Sequence, residues 1–130
     1  MTPREYIEAS GVPESTWPDF GKWYDWFDRN KLVGVVRDQS GDVAGVALCR
    51  MIYANEEPKH YVHHEDGDDV FIDLTVTSID GKPTSQSKIA LKRLLYILFD
   101  NVGPRRRITF NRGGRHRSYD YMKFMRKALI

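Results

Sequence analysis

The sequence predicts an α+β fold, a mixed and mostly antiparallel sheet flanked by four helices, in a single domain over residues 1–130. Three observations predict it. Apolar residues recur at three- and four-residue steps in three separate segments, as one buried helical face requires, and a capping box opens a fourth helix. Between those segments lie stretches rich in β-branched residues, bounded by clusters of Gly, Asp and Ser with turn chemistry. No internal repeat and no Pro-rich or Ser/Gly-rich tract divides the 130 residues, a length at which one domain holds a core without disulfides or metals.

Thr2-Pro3-Arg4-Glu5 has the form of a capping box with proline at the first helical position, opening a short helix to about Ser10 that Gly11-Val12-Pro13 stops. Thr16-Trp17-Pro18-Asp19 opens a longer helix. Trp17, Phe20, Tyr24 and Phe27 form its buried stripe, which Trp23 and Trp26 widen. That spacing reads as core packing rather than as a stacking surface for sugars or bases.

Leu32–Arg37 and Val43–Tyr53 form a hairpin around Asp38-Gln39-Ser40-Gly41-Asp42. A second hairpin joins His60–Glu65 to Asp68–Thr77 through Asp66-Gly67, with Val70, Ile72, Leu74 and Val76 on one face. After the loop Ser78–Thr84 comes the clearest helix, capped by Ser85 or Ser87. Its core side is Ile89, Ala90, Leu91, Leu94, Leu95, Leu98 and Phe99, and Gly103-Pro104 ends it. Arg107–Phe110 is a short strand, Asn111–Arg117 a loop, and Ser118 the cap of a last helix carrying Tyr121, Phe124, Met125, Ala128 and Leu129 at helical spacing.

The net charge of +2 conceals an asymmetry: residues 1–100 carry 11 Lys and Arg against 17 Asp and Glu, whereas residues 101–130 carry nine against one. Such a basic segment attracts phosphate, nucleic acid or an acidic partner, or else neutralises the acidic body of its own domain. Its centre is Arg105-Arg106-Arg107 followed by Asn111-Arg112-Gly113-Gly114-Arg115-His116-Arg117-Ser118. A glycine pair leading into a helix cap offers free amides for an anion, and arginine donates two parallel hydrogen bonds to phosphate. Arg105, Arg107, Arg112, Arg115 and Arg117 are therefore the candidate phosphate or nucleic-acid contacts, and Tyr119 and Tyr121 can stack on bases. A single cysteine, Cys49, sits in an apolar run and reads as a buried structural thiol. One cysteine, no signal-peptide pattern and no membrane-length apolar segment lead to a cytoplasmic expectation with no membrane partner.

The element order resembles that of the GNAT superfamily of N-acetyltransferases: two early helices, an antiparallel meander, a helix, a strand and a helix. Ile72-Asp73-Leu74-Thr75-Val76 resembles the family's central strand, which leads into the cofactor loop. Asn111 followed by Tyr119, Tyr121 and Phe124 resembles the Asn-then-Tyr pattern of its later helix. The resemblance implies an acetyl-CoA pyrophosphate held on backbone N–H groups at a helix N-terminus by an Arg/Gln-x-x-Gly-x-Gly/Ala loop. It places cofactor contacts at Val76, Lys82, Ser85, Ser87 and Lys88.

The corresponding stretch, residues 79–88, holds Gly81 alone and lacks the paired glycines. The expected function is thus a GNAT-like binding or structural module without the standard acetyl-CoA site. An N-acyltransferase with an atypical loop and a nucleic-acid or phosphate-binding protein are the alternatives. In the enzymatic reading Asp73 is the general base and Tyr119 or Tyr121 the proton donor; otherwise Asp73 lies on a polar sheet face or pairs with an arginine of a neighbouring strand. His63-His64-Glu65-Asp66-Gly67-Asp68-Asp69 gathers metal-ligand types, but adjacent histidines on a strand point to opposite faces, so no metal site is assigned.

Overall fold

The computed structural model describes residues 1–12, 17–82 and 84–129. Among them the order is α1 (Pro3–Ala9), α2 (Phe20–Arg29), β1 (Val33–Arg37), β2 (Val43–Ile52), β3 (Asp69–Val76), α3 (Ser85–Val102), β4 (Arg107–Arg112), β5 (Arg115–Asp120) and α4 (Tyr121–Leu129). Among the described residues the fold is α+β, with four helices on a five-stranded sheet whose spatial order is the sequence order. β1–β2, β2–β3 and β4–β5 are antiparallel, while β3 and β4 are parallel. A parallel pair needs a crossover, and α3 supplies it. Pro13, Thr16 and Pro83, to which the sequence assigned a helix stop, a helix opening and part of a loop, lie outside the described residues.

The helices divide between the two faces of the sheet. α1 and α2 bury Tyr6, Ile7, Phe20, Trp23, Tyr24 and Phe27 against Val46, Leu48 and Val76. α3 and α4 bury Ala90, Leu94, Leu95, Tyr121 and Met125 against Cys49, Met51, Val70 and Ile108. Thr2 caps α1 in the predicted capping box, complete in both directions. α3 is capped by Thr84 rather than by Ser85 or Ser87; Ser87 is the reciprocal partner, donating to and accepting from Thr84. Ile89 and Leu91 are 53% and 42% exposed rather than core. The buried stripe of α3 instead centres on Leu94, which fills the space left by Gly34 and Gly45.

Three expectations about the strands are corrected. Val70, Ile72, Leu74 and Val76 do not share a face. Leu48 pairs with Leu74 and Cys49 with Ile72, so Asp73 is an extra residue in β3 without a partner on β2. Such a bulge resets the alternation: Val70 and Ile72 pack toward α3 and α4, Leu74 and Val76 toward α1 and α2.

His60–Glu65 is not a strand, because β2 and β4 already occupy both edges of β3. The segment instead covers β2 where β1 stops: Met51 N–H donates to His63 Nδ1 at 3.1 Å, and His64 N–H to the Met51 carbonyl at 3.0 Å. This shields an otherwise open edge. Gly67 is not a hairpin-turn glycine but a point of close approach, where a Cβ would lie 2.8 Å from both the Ile52 nitrogen and its carbonyl oxygen. Gly67→Ala is expected to cost about 1–3 kcal/mol by forcing backbone apart, read as a lower urea midpoint at unchanged slope.

The third correction concerns residues 111–120, which form a hairpin rather than a loop and a cap. Gly113 and Gly114 both have positive φ, +59° and +74°, the conformation a two-residue turn between twisted strands demands. Asp120, not Ser118, caps the last helix, accepting from Lys123 N–H at 3.0 Å.

Candidate functional site

Two arrangements of charged residues emerge, one buried and one exposed. In the buried one, Arg50 of β2 and the bulged Asp73 of β3 form a bidentate pair, Nε to Oδ2 and Nη2 to Oδ1, each 3.0 Å. Their side chains are 2% and 4% exposed. Arg50 also donates through Nη1 to the carbonyls of Lys59 and Val62, and its guanidinium lies 5.8 Å from the Trp23 ring and 5.5 Å from that of Phe71. His60 and Tyr61 pack on Trp23 and close the cover. Of the open readings of Asp73, this is the pairing with an arginine of a neighbouring strand.

Burial pushes the Asp73 carboxyl up to about 6 from its ordinary 3.8, against the opposing pull of Arg50. Between these values the folded chain keeps a proton that the unfolded chain has released. Stability contributed by this group is therefore complete below about pH 4 and lost as pH rises through about 6. The side-chain carbon resonance of Asp73 is expected to titrate near pH 6.

Tyr119 and Tyr121 do not meet Asp73. Tyr121 is fully buried among the residues packed by α3 and α4, stacked on Phe99 at 6.1 Å, with its hydroxyl pushed up to about 12 by burial. Tyr119 stands opposite Ile108 on that same face, whereas Asp73 lies beneath Trp23 on the other. The proposed base and its proton donors are thus separated by the sheet.

The implied cofactor residues are brought to one end of the sheet but only partly left available. β3–β4 pairing stops at Ile72–Phe110, and β3 runs on to Val76 before the chain enters α3. Val76 is buried in the core, and the Ser87 hydroxyl is held by Thr84. Lys82, Ser85 and Lys88 are exposed. Asp80 closes the intervening loop by accepting from Ser78 Oγ and Lys82 N–H. A cavity of about 70 Å³ lies elsewhere, between β1, β2 and the second half of α3, with Cys49, Met51, Leu94 and Leu98 in its lining. Cys49 is buried, as expected, and burial pushes its thiol up to about 12.

The basic segment divides in two. Arg105 donates to the carbonyls of Glu65, Gly67 and Val102, and Arg106 forms a bidentate pair with buried Asp69 at 2.9 and 2.7 Å. These two arginines fasten the domain's own 65–69 segment. Arg107 donates to Ser118 Oγ at 2.9 Å across the hairpin. Arg112, Arg115 and Arg117 are exposed and make no ion pair or side-chain hydrogen bond among the described residues.

The hairpin register gathers those three. Arg112 stands opposite Arg115, Phe110 opposite Arg117 and Ile108 opposite Tyr119. Cross-strand partners share a face, as do residues two apart, so the three arginines and Tyr119 project from one side of the ribbon. Like charges opposite one another are destabilising, and nothing acidic on the hairpin face relieves Arg112 and Arg115. No family model matches the chain, and neither the curated proteins nor the solved structures contain a match to it.

Proposed function

We propose that this domain is a binding module on a GNAT-like scaffold, and that its β4–β5 hairpin binds a polyanion of the nucleic-acid class. The observation that carries this is the cross-strand arginine cluster, three unpaired cations placed on one face by a defined turn. Planar guanidinium groups suit phosphate, and a cluster kept at a cost in mutual repulsion fits an external counter-charge. The element order and the parallel β3–β4 crossover support the scaffold reading. Binding of a fluorescently labelled oligonucleotide should strengthen steeply as salt falls, with log K changing by about 2 to 3 per decade of salt for three phosphate contacts. Absence of binding at 50 mM salt would overturn the reading.

A second reading, a pantetheine-type cofactor with N-acyl transfer, draws on the parting of β3 from β4 beyond Ile72–Phe110. Such a gap admits an extended ligand that hydrogen-bonds to free strand edges. Calorimetric titration with acetyl-CoA separates the two: micromolar affinity supports the cofactor, and none at millimolar acetyl-CoA excludes it.

A further inference from the structure

We propose that the hairpin's ligand is single-stranded nucleic acid, with phosphates on Arg112, Arg115 and Arg117 and a base stacked on Tyr119; this rests on the polyanion reading above. The arginines and the aromatic ring form one continuous site. Arg115, Arg117 and Tyr119 follow one another along β5 at steps of about 7 Å, so a strand laid along the ribbon meets cations first and the ring next. Tyr119 is 41% exposed. Its ring is held by Phe110 and Phe124, at 5.9 and 5.7 Å with tilts of 31° and 33°, and those two rings meet edge-on at 6.4 Å.

The trio therefore runs from the half-buried Phe110 and Phe124 outward to a tyrosine fixed by packing, whose outer surface the core does not use. A fixed aromatic surface beside cations is what base stacking requires, since every base has a π-face. The choice of strandedness follows from access. In a duplex the base faces are covered by their neighbours, and a free phosphate or sulfated sugar offers none, so those ligands engage the arginines alone. Lys127, one helical turn beyond Phe124 and exposed, extends the positive surface from α4.

The test compares three probes of roughly 12 nucleotides, within the usual site size for such binders, at low salt: oligothymidylate, a duplex and an abasic deoxyribose-phosphate strand. The expected result is tightest binding to oligothymidylate, with the abasic strand weaker by about 5- to 150-fold, the worth of one stacked base. Tyr119→Leu should lose that preference while still binding the abasic strand as before, and Tyr119→Phe should keep it. Equal binding of oligothymidylate and abasic strand, or a duplex bound as tightly as the single strand, overturns the single-strand inference and leaves the polyanion reading standing. Failure of all three probes to bind overturns both.

Discussion

Arg50→Met is expected to destabilise the fold by about 3–5 kcal/mol at pH 8, the cost of removing one partner from a buried ion pair, and by less at pH 5. The asymmetry comes from the remaining carboxyl. Arg50 is the group that pulls the Asp73 carboxyl down against desolvation, so without it the folded-state value rises above about 6 while the unfolded value stays near 3.8. At pH 5 the variant folds with Asp73 protonated and needs no partner. At pH 8 it must either bury a lone carboxylate or hold a proton against the solvent. The sign follows from linkage: the group's contribution is complete below the unfolded value and is lost as pH rises through the raised folded value.

Asp73→Asn is the milder change, because Arg50 keeps its bonds to the Lys59 and Val62 carbonyls and its contact with Trp23. Added to Arg50→Met, it should recover much of the loss at pH 8. Urea denaturation at the two pH values checks this. Equal losses at pH 5 and pH 8, or no recovery in the double variant, would count against the account.

The pair also marks where sequence reasoning reached and where it stopped. Asp73 stood out as a charge inside an apolar strand, and Arg50 has the same signature at the end of the Val43–Tyr53 run, so the two could have been matched. What could not be read was the bulge at Asp73 that turns the following Leu74 and Val76 to the α1–α2 face, because a period of two carries no sign of where one residue is inserted. Helices were legible because their stripes are local: the Thr2–Glu5 box and the Phe20–Phe27 face formed as expected, although the caps of α3 and α4 fell on Thr84 and Asp120, a residue or two away from the serines expected. The 60–65 segment was misread because whether an extended stretch pairs depends on which edges are free, a property of the whole sheet. Gly113-Gly114 was ambiguous for a related reason. Positive φ serves a helix entry or a hairpin equally well, and the decision was made by β4, whose free edge offers Arg115–Asp120 six residues of pairing. Cys49 is buried as its apolar neighbours implied, and Phe20, Tyr24 and Phe27 are buried as their helical spacing implied, whereas Trp17 precedes the helix and is half-buried.

Replacing the hairpin cluster, Arg112→Gln with Arg115→Gln and Arg117→Gln, is expected to weaken oligonucleotide binding by about 100- to 500-fold at 0.1 M salt. The magnitude follows from counterion release: each neutralised phosphate contributes about 0.7 to 0.9 to the slope of log K against log salt, so three contacts account for about 2 to 3 decades between 1 M and 0.1 M. The slope should fall by the same amount, which a general loss of folded protein would not produce. Stability should hardly change, since these side chains are exposed and unpaired and surface substitutions of this kind stay within about 0.5 kcal/mol. If anything, relief of the Arg112–Arg115 repulsion favours the folded hairpin. The matched control removes positive charge at the other candidate site: Lys82→Gln with Lys88→Gln lowers the net charge by two at the loop and helix entry following β3. A site on the hairpin predicts little change in that control. A weakening there as large as in the arginine variant would move the anion site to the end of β3, and a diffuse attraction to the whole basic surface would show as losses proportional to the charges removed. Because the hairpin arginines converge on one face, whereas Arg105 and Arg106 are spent on the domain's own 65–69 segment, the expected loss belongs to three side chains and not to the basic segment as a whole.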